Sequence, residues 1–246
     1  MIIQFLKRCT AAVIAISVLS TGLMANAAGS DPAAQVYSDS EWDLPALDGE
    51  QIPYDQYLSA LLDVYYRNDS QAFVALGLGT AEDAALLYNE MLDSELLSME
   101  IEAILGIECP EVLENDLRAL MAQMLGSVRY AVTGCELQAD GTYEITIIYE
   151  QMIIFKPLME LYMAVVIDLY TTWFEDYVSA PSEEDMMIQI LAALCSSLRA
   201  CLENVTYAEP AITTVSIEPH NGVYLPNMED IASLESLLFD TDFIKY

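Results

Sequence analysis

A single histidine, His220, is the only side chain here whose ordinary pKa suits proton transfer near neutral pH. A Ser-His-Asp or Cys-His enzyme needs that residue beside its nucleophile. His220 instead falls in the run Pro219, His220, Asn221, Gly222, which reads as a solvated turn. No G-x-S-x-G, H-E-x-x-H or phosphate-cradling loop accompanies it, and Gly77 and Gly79 without a third glycine or a preceding strand read as a helix end. Carboxylates are the abundant alternative, with 39 Asp and Glu against 8 Lys and Arg. Two acids meeting in a cleft could hydrolyse a glycosidic bond, but no spacing singles out a pair. A calcium loop would need oxygen ligands in tight order around a glycine. Asp140 before Gly141 and Asp48 before Gly49 are the nearest approach. The sequence therefore assigns no catalytic, cofactor-binding or metal-binding residue and implies no cofactor.

Thiols and phenols are the other reactive groups. Four cysteines remain beyond the N-terminal region: Cys109, Cys135, Cys195 and Cys201. Four in an exported chain allow three disulfide connectivities. Cys195 and Cys201 read as one helix, where six residues at ~1.5 Å each separate them by ~9 Å, beyond the ~7 Å limit for a bridge. There is no C-x-x-C pair, and one histidine cannot complete a Cys/His zinc site. The expected state is buried free thiols acting as small hydrophobes. Tyrosine carries the strongest hint of function, since 15 tyrosines stand against 2 tryptophans. Its apolar body and polar tip suit sugar or peptide grooves. Tyr65, Tyr130 and Tyr149, on faces that also build the core, read as packing residues.

The first 27 residues place this chemistry in a compartment. Lys7 and Arg8 form a basic start, Cys9 to Met24 an apolar run, and Ala25, Asn26 and Ala27 a signal-peptidase site. Residues 1–27 are expected to leave as a secretory leader, with cleavage near Ala27 and a secreted, extracellular product. No cysteine at the cleavage point would take a lipid, and no transmembrane span is expected in the mature chain. The whole chain carries a formal charge of −31, and the leader removes Lys7 and Arg8 but no acid. Such a chain repels nucleic acid and anionic lipid. The charge reads as a solubility coat, with a docking surface for Ca²⁺ or a basic partner as the sharper alternative. Leucine, isoleucine, valine, methionine and tyrosine recur too often for disorder.

The elements that must position these residues follow from periodicity. Residues 28–53 read as an acidic flexible tether with Trp42 as its anchor, 54–155 as a first helical and β-hairpin half, and 156–246 as a second half packed against it. Leu58, Leu61, Leu62 and Tyr65 give a helix from Tyr54, closed by Arg67 to Ser70, with a short second segment to Leu78. Thr80 to Asp83 caps a helix expected to reach about Leu105, with a break at Asp93 and Ser94. Pro110 opens another that ends at Gly126. The period then changes from 3.6 to 2. Tyr143, Ile145, Ile147 and Tyr149 alternate with polar positions after the turn at Gln138 to Gly141, a β-hairpin signal. A helix from Leu158 to Val178, apolar nearly all round apart from Glu160 and Asp168, reads as a central buried helix. Ser182 caps the next, which runs to Glu203. Tyr207 to Ile217 reads as a third strand, Val223 and Tyr224 as a short fourth, and Asn227 caps a last helix. The expected fold class is α+β, helix-rich, with a small antiparallel sheet in which the 128–151 hairpin pairs with the strand near 206–218.

The order helix, helix, strand, strand occurs twice. Tyr57, Asp63 and Tyr65 match Tyr162, Asp168 and Tyr170 in spacing, which suggests a degenerate duplication. Both aspartates read as solvent-facing carboxylates on amphipathic helices. The run from Tyr57 to Asp69, the capped Thr80 helix, and Arg129 to Val132 followed by Gly141 to Ile145 resemble uncharacterised secreted proteins and lipoproteins of gut-dwelling Gram-positive anaerobes. That resemblance implies an α+β domain of cystatin-like or nuclear-transport-factor-like character over residues 54–240, and brings no catalytic residues. This chain departs from those relatives in lacking the lipid-accepting cysteine.

The functional expectation is a secreted, acidic, non-catalytic binding or envelope-associated protein. Its partner is an unknown peptide, glycan or protein, and nucleic acid is excluded on charge. The alternative is an extracellular hydrolase with paired carboxylates.

Overall fold

The computed structural model describes residues 47–48, 53–98, 109–175, 181–220 and 223–241. The leader, most of the tether with Trp42, the expected helix end near Leu105, and the turn residues Asn221 and Gly222 lie outside the described residues.

Strand β1 (Leu47–Asp48) is followed by helices α1 (Tyr54–Arg67), α2 (Gln71–Ala75), α3 (Ala81–Ser98) and α4 (Glu111–Gly126). Then come β2 (Arg129–Leu137), β3 (Tyr143–Glu150), β4 (Met152–Ile153), α5 (Phe155–Glu175), α6 (Glu183–Glu203), β5 (Thr206–Tyr207), β6 (Ala211–His220), β7 (Val223–Pro226) and α7 (Met228–Leu238). The fold is α+β, with seven helices and a small antiparallel sheet among the described residues.

Local chemistry explains where the helices start and stop. Asn68 adopts the left-handed conformation at φ 53°, and the amides of Asn68 and Asp69 return to the carbonyls of Val64 and Asp63, which closes α1. At α3, Thr80 Oγ1 accepts the Asp83 amide (3.1 Å) while Asp83 Oδ2 accepts the Thr80 amide (2.8 Å), a reciprocal capping box with aspartate in place of glutamate. The expected break at Asp93 and Ser94 does not occur. Neither residue is a glycine or proline, so neither stops a helix already propagating. Ser182 and Asn227 cap α6 and α7 as expected. The start of α5 is served from far along the chain. Asp240 accepts the amides of Ile154 (2.9 Å), Phe155 (2.7 Å) and Lys156 (3.0 Å), placing a carboxylate at the positive end of the helix.

The main sheet has the order β1-β7-β6-β3-β2, every neighbour antiparallel. The hairpin β2–β3 turns at Gly141, whose φ of 91° suits glycine, and β3 pairs with β6 from Tyr143↔Ile217 to Tyr149↔Ala211. The hairpin thus pairs with the later strand in one sheet, as the alternation predicts. Strands β4 and β5 form a separate two-stranded sheet. In the stretch read as a tether, Leu47 and Asp48 pair with Tyr224 and Val223, so its end is tied to the sheet.

One sheet face is buried: Ile145, Ile147, Val215 and Ile217 are fully covered. Helix α1 lies against β2 and β3, and α7 against β6. Behind them α6 packs between α4 and α5. This reverses the expectation for the central helix. Helix α5 buries one stripe, Phe155, Leu158, Tyr162, Val166, Tyr170 and Trp173, while Leu161 and Ile167 on its other side are 39% and 53% exposed. Helix α6 has a neighbouring helix on two sides and buries Leu191, Leu194, Cys195, Leu198 and Cys201. Hydropathy registers how apolar a helix is, whereas burial depends on how many partners surround it.

Candidate functional site

The two aspartates of the suggested duplication have different fates. Asp63 projects from α1 toward β2, where its Oδ1 accepts hydrogen bonds from the Tyr130 hydroxyl (2.7 Å) and from Arg67 (2.8 Å). The Arg67 guanidinium also lies 4.3 Å from the centre of the Tyr130 ring. Burial first, and then the hydrogen bond to Asp63, push the Tyr130 phenol well above the usual tyrosine range. Asp63 is therefore a half-buried, doubly bonded carboxylate, which corrects its reading as solvent-facing. Tyr130, read as a packing residue, also carries a hydrogen bond. Asp168 is exposed as expected, and its backbone carbonyl accepts from Thr172. The packing differs as well, because α1 lies on the sheet and α5 on α6. The matching sequences do not occupy equivalent places.

The remaining candidates sit apart. His220 is exposed at the end of β6, paired with Val223 of β7. Cys195 and Cys201 are buried in α6, and with the exposed Cys135 they form no disulfide. Burial pushes the Cys195 thiol up to about 11, with Asp116 adding to it. Burial raises Cys201 and Cys135 too, helped by Asp240 and Asp55 respectively. Such thiols carry little thiolate and make weak nucleophiles. Each arginine among the described residues is paired with an acid: Arg67 with Asp63, Arg118 with Asp93, Arg129 with Glu150, and Arg199 with Asp116. The excess acids spread over the surface, and among the described residues no three His, Cys, Asp or Glu side chains gather as metal ligands would.

Tyrosines do converge. Tyr54 opens α1, Tyr143 opens β3 and Tyr224 lies in β7. Their ring centroids are 4.1 Å (Tyr54 to Tyr143), 5.0 Å (Tyr54 to Tyr224) and 5.6 Å (Tyr143 to Tyr224) apart, with tilted and edge-on planes. Aromatic pairs favour such offsets. All three are half-buried, with Cys135 close to Tyr54 and Asp55 close to Cys135. Burial, then Tyr143 and Tyr224, raise the Tyr54 phenol above its ordinary value, keeping it a neutral hydrogen-bond donor. Sequence reasoning noted the abundance of tyrosine but not this trio. The signal that could have found it is positional: each residue sits at or next to the end of an element, and the pairing of β6 with both β3 and β7 brings Tyr143 and Tyr224 together.

No protein-family model matches the chain, and neither does any curated protein. Among solved structures it is similar to a candidate lipoprotein (ycdA) of Bacillus subtilis, with 14% identity and a TM-score of 0.51. The match covers 74% of this chain and 55% of that one, so the chain spans just over half the length of that structure. At this identity the likeness concerns the fold alone. It agrees with the coarser part of the resemblance drawn from the sequence, a likeness to an uncharacterised lipoprotein, and does not extend to its cystatin-like part.

Proposed function

We propose that the chain is an acidic binding protein of the bacterial envelope or its surroundings, without catalytic turnover, and that Tyr54, Tyr143 and Tyr224 form its contact surface for a glycan or peptide. The observation that carries this reading is the convergence of three half-buried tyrosines from three separate elements. Each has a flat apolar face for a sugar ring or an apolar side chain and a hydroxyl to orient it. The location is supported by the N-terminal leader pattern and by the lipoprotein description of the structure that shares the fold. The hydrolase alternative lacks an equivalent, since the best-placed carboxylate, Asp63, is already occupied by Tyr130 and Arg67.

The test is titration of the exported chain with soluble peptidoglycan fragments and a panel of oligosaccharides, by calorimetry, alongside Tyr143→Ala and Tyr224→Ala. The expected result is saturable binding weakened about 10-fold by either variant, about 1.4 kcal/mol, with no product released. Hydrolysis of any panel member that is abolished by a single Asp or Glu substitution would overturn the reading. Binding indifferent to both tyrosines would overturn the site.

A further inference from the structure

The main sheet ends on β2, a nine-residue strand whose outer side meets no further strand among the described residues. Its side chains alternate between exposed and half-buried up to Gly134, and all are exposed from Cys135 to Leu137. Alternate residues of such an edge turn their N–H and C=O groups outward, ready to pair with another strand. The opposite edge differs, since β7 is covered there by β1.

We propose that the β2 edge is a self-association surface, taking β2 of a second copy of this chain antiparallel to itself to make one continuous sheet. Charge is complementary across this edge in a definite register. On the outer sheet face Glu136 lies directly opposite Glu144 of β3, a like-charge cross-strand pair that costs stability. At the other end of β2, Arg129 lies opposite Glu150 and bonds it at 2.9 Å, with its side chain still 58% exposed. The register shift between Val132 and Gly134 puts Arg129 and Glu136 on the same face, although their positions differ by an odd number. An antiparallel second copy set with Arg129 opposite Glu136 repeats that contact by two-fold symmetry. Each Arg129 then sits between its own Glu150 and the second copy's Glu136, which relieves the Glu136 and Glu144 repulsion twice. In the same register Tyr130 faces Cys135 on the inner side and Ala131 faces Gly134 on the outer side, and the two-fold axis passes between Val132 and Thr133 at the bulge.

A contact along one strand is small compared with the ~1,200 Å² of a stable interface, and the net negative charge of each copy opposes it. The dimer is accordingly weak and reversible, half formed near ~0.1 mM at about 0.15 M salt, where the Debye length is ~8 Å. The experiment is sedimentation analysis of the exported chain from ~10 μM to ~1 mM. Wild type should pass from monomer to dimer. Glu136→Arg, which leaves the Arg129 and Glu150 pair intact, should be monomeric throughout, as should Arg129→Glu. The double variant Arg129→Glu/Glu136→Arg should dimerise again, and an equimolar mixture of the two single variants should form the heterodimer. A wild-type monomer at ~1 mM overturns the proposal, as do single variants that associate like wild type. Loss in both singles with no recovery in the double variant or the mixture also overturns it. These outcomes are independent of glycan binding at the tyrosines, which is read by Tyr143→Ala and Tyr224→Ala.

Discussion

Helices α1 and α5 carry tyrosine and aspartate at the same spacing, Tyr57, Asp63 and Tyr65 against Tyr162, Asp168 and Tyr170, and end in different surroundings. The residue one turn after each aspartate separates them. Arg67 follows Asp63 and shares its Oδ1 with the Tyr130 hydroxyl, whereas Thr172 follows Asp168 and bonds its backbone carbonyl. The sheet and helices α2, α3 and α4 surround α1, and Leu62 is 3% exposed, while its counterpart Ile167 is 53% exposed. A local pattern fixes that a helix forms and which residues share a face. What lies across that face decides whether an aspartate becomes a structural partner or a solvated charge.

The two helices differ most in the core. Leu62→Ala should cost about 2–5 kcal/mol of stability by chemical denaturation, the range for leucine deletions in packed interiors. Ile167→Ala at the matching place should stay within about 0.5 kcal/mol. Comparable losses at the two positions would mean that α5 is covered after all.

The tyrosines around α1 also respond to pH. Tyr57 and Tyr130 on or against α1 both have phenols raised above the ordinary value of 10.0 by burial, with Asp63 adding to Tyr130. A raised folded-state pKa favours the protonated form, so this stability is fully present below about pH 10 and is lost as pH rises beyond it. Ultraviolet titration should show these two phenolates appearing only with unfolding, later than those of exposed tyrosines. Reversible ionisation of every tyrosine near pH 10 in the folded chain would contradict this.

Much of the architecture is legible in the sequence because its determinants are local. The Gln138 to Gly141 turn and the alternation after it predict the hairpin, and Thr80, Ser182 and Asn227 mark helix starts that the structure keeps. What is not legible depends on distant partners. Asp63 meets Tyr130 across 67 residues, and Asp240 reaches Ile154 across 86. Neither pairing leaves a trace in spacing. The tyrosine trio is hidden for the same reason, being assembled from α1, β3 and β7 by strand register. The inversion of α5 and α6 arises because both are apolar, and only α6 acquires helices on two sides.

The most direct test of the claim that tertiary partners divide the two aspartates is a double-mutant cycle on Asp63 and Tyr130. Asp63→Ala, Tyr130→Phe and the double variant would be measured by denaturant unfolding, with Asp168→Ala as the counterpart on α5. A hydrogen bond to a charged group contributes about 1.5–3 kcal/mol and neighbours in one network couple by about 0.5–3 kcal/mol. The expected result is a coupling of about 1 kcal/mol or more between Asp63 and Tyr130, with Asp168→Ala changing stability by no more than about 0.5 kcal/mol. Additive effects at Asp63 and Tyr130, or a loss at Asp168 as large as that at Asp63, would contradict the account.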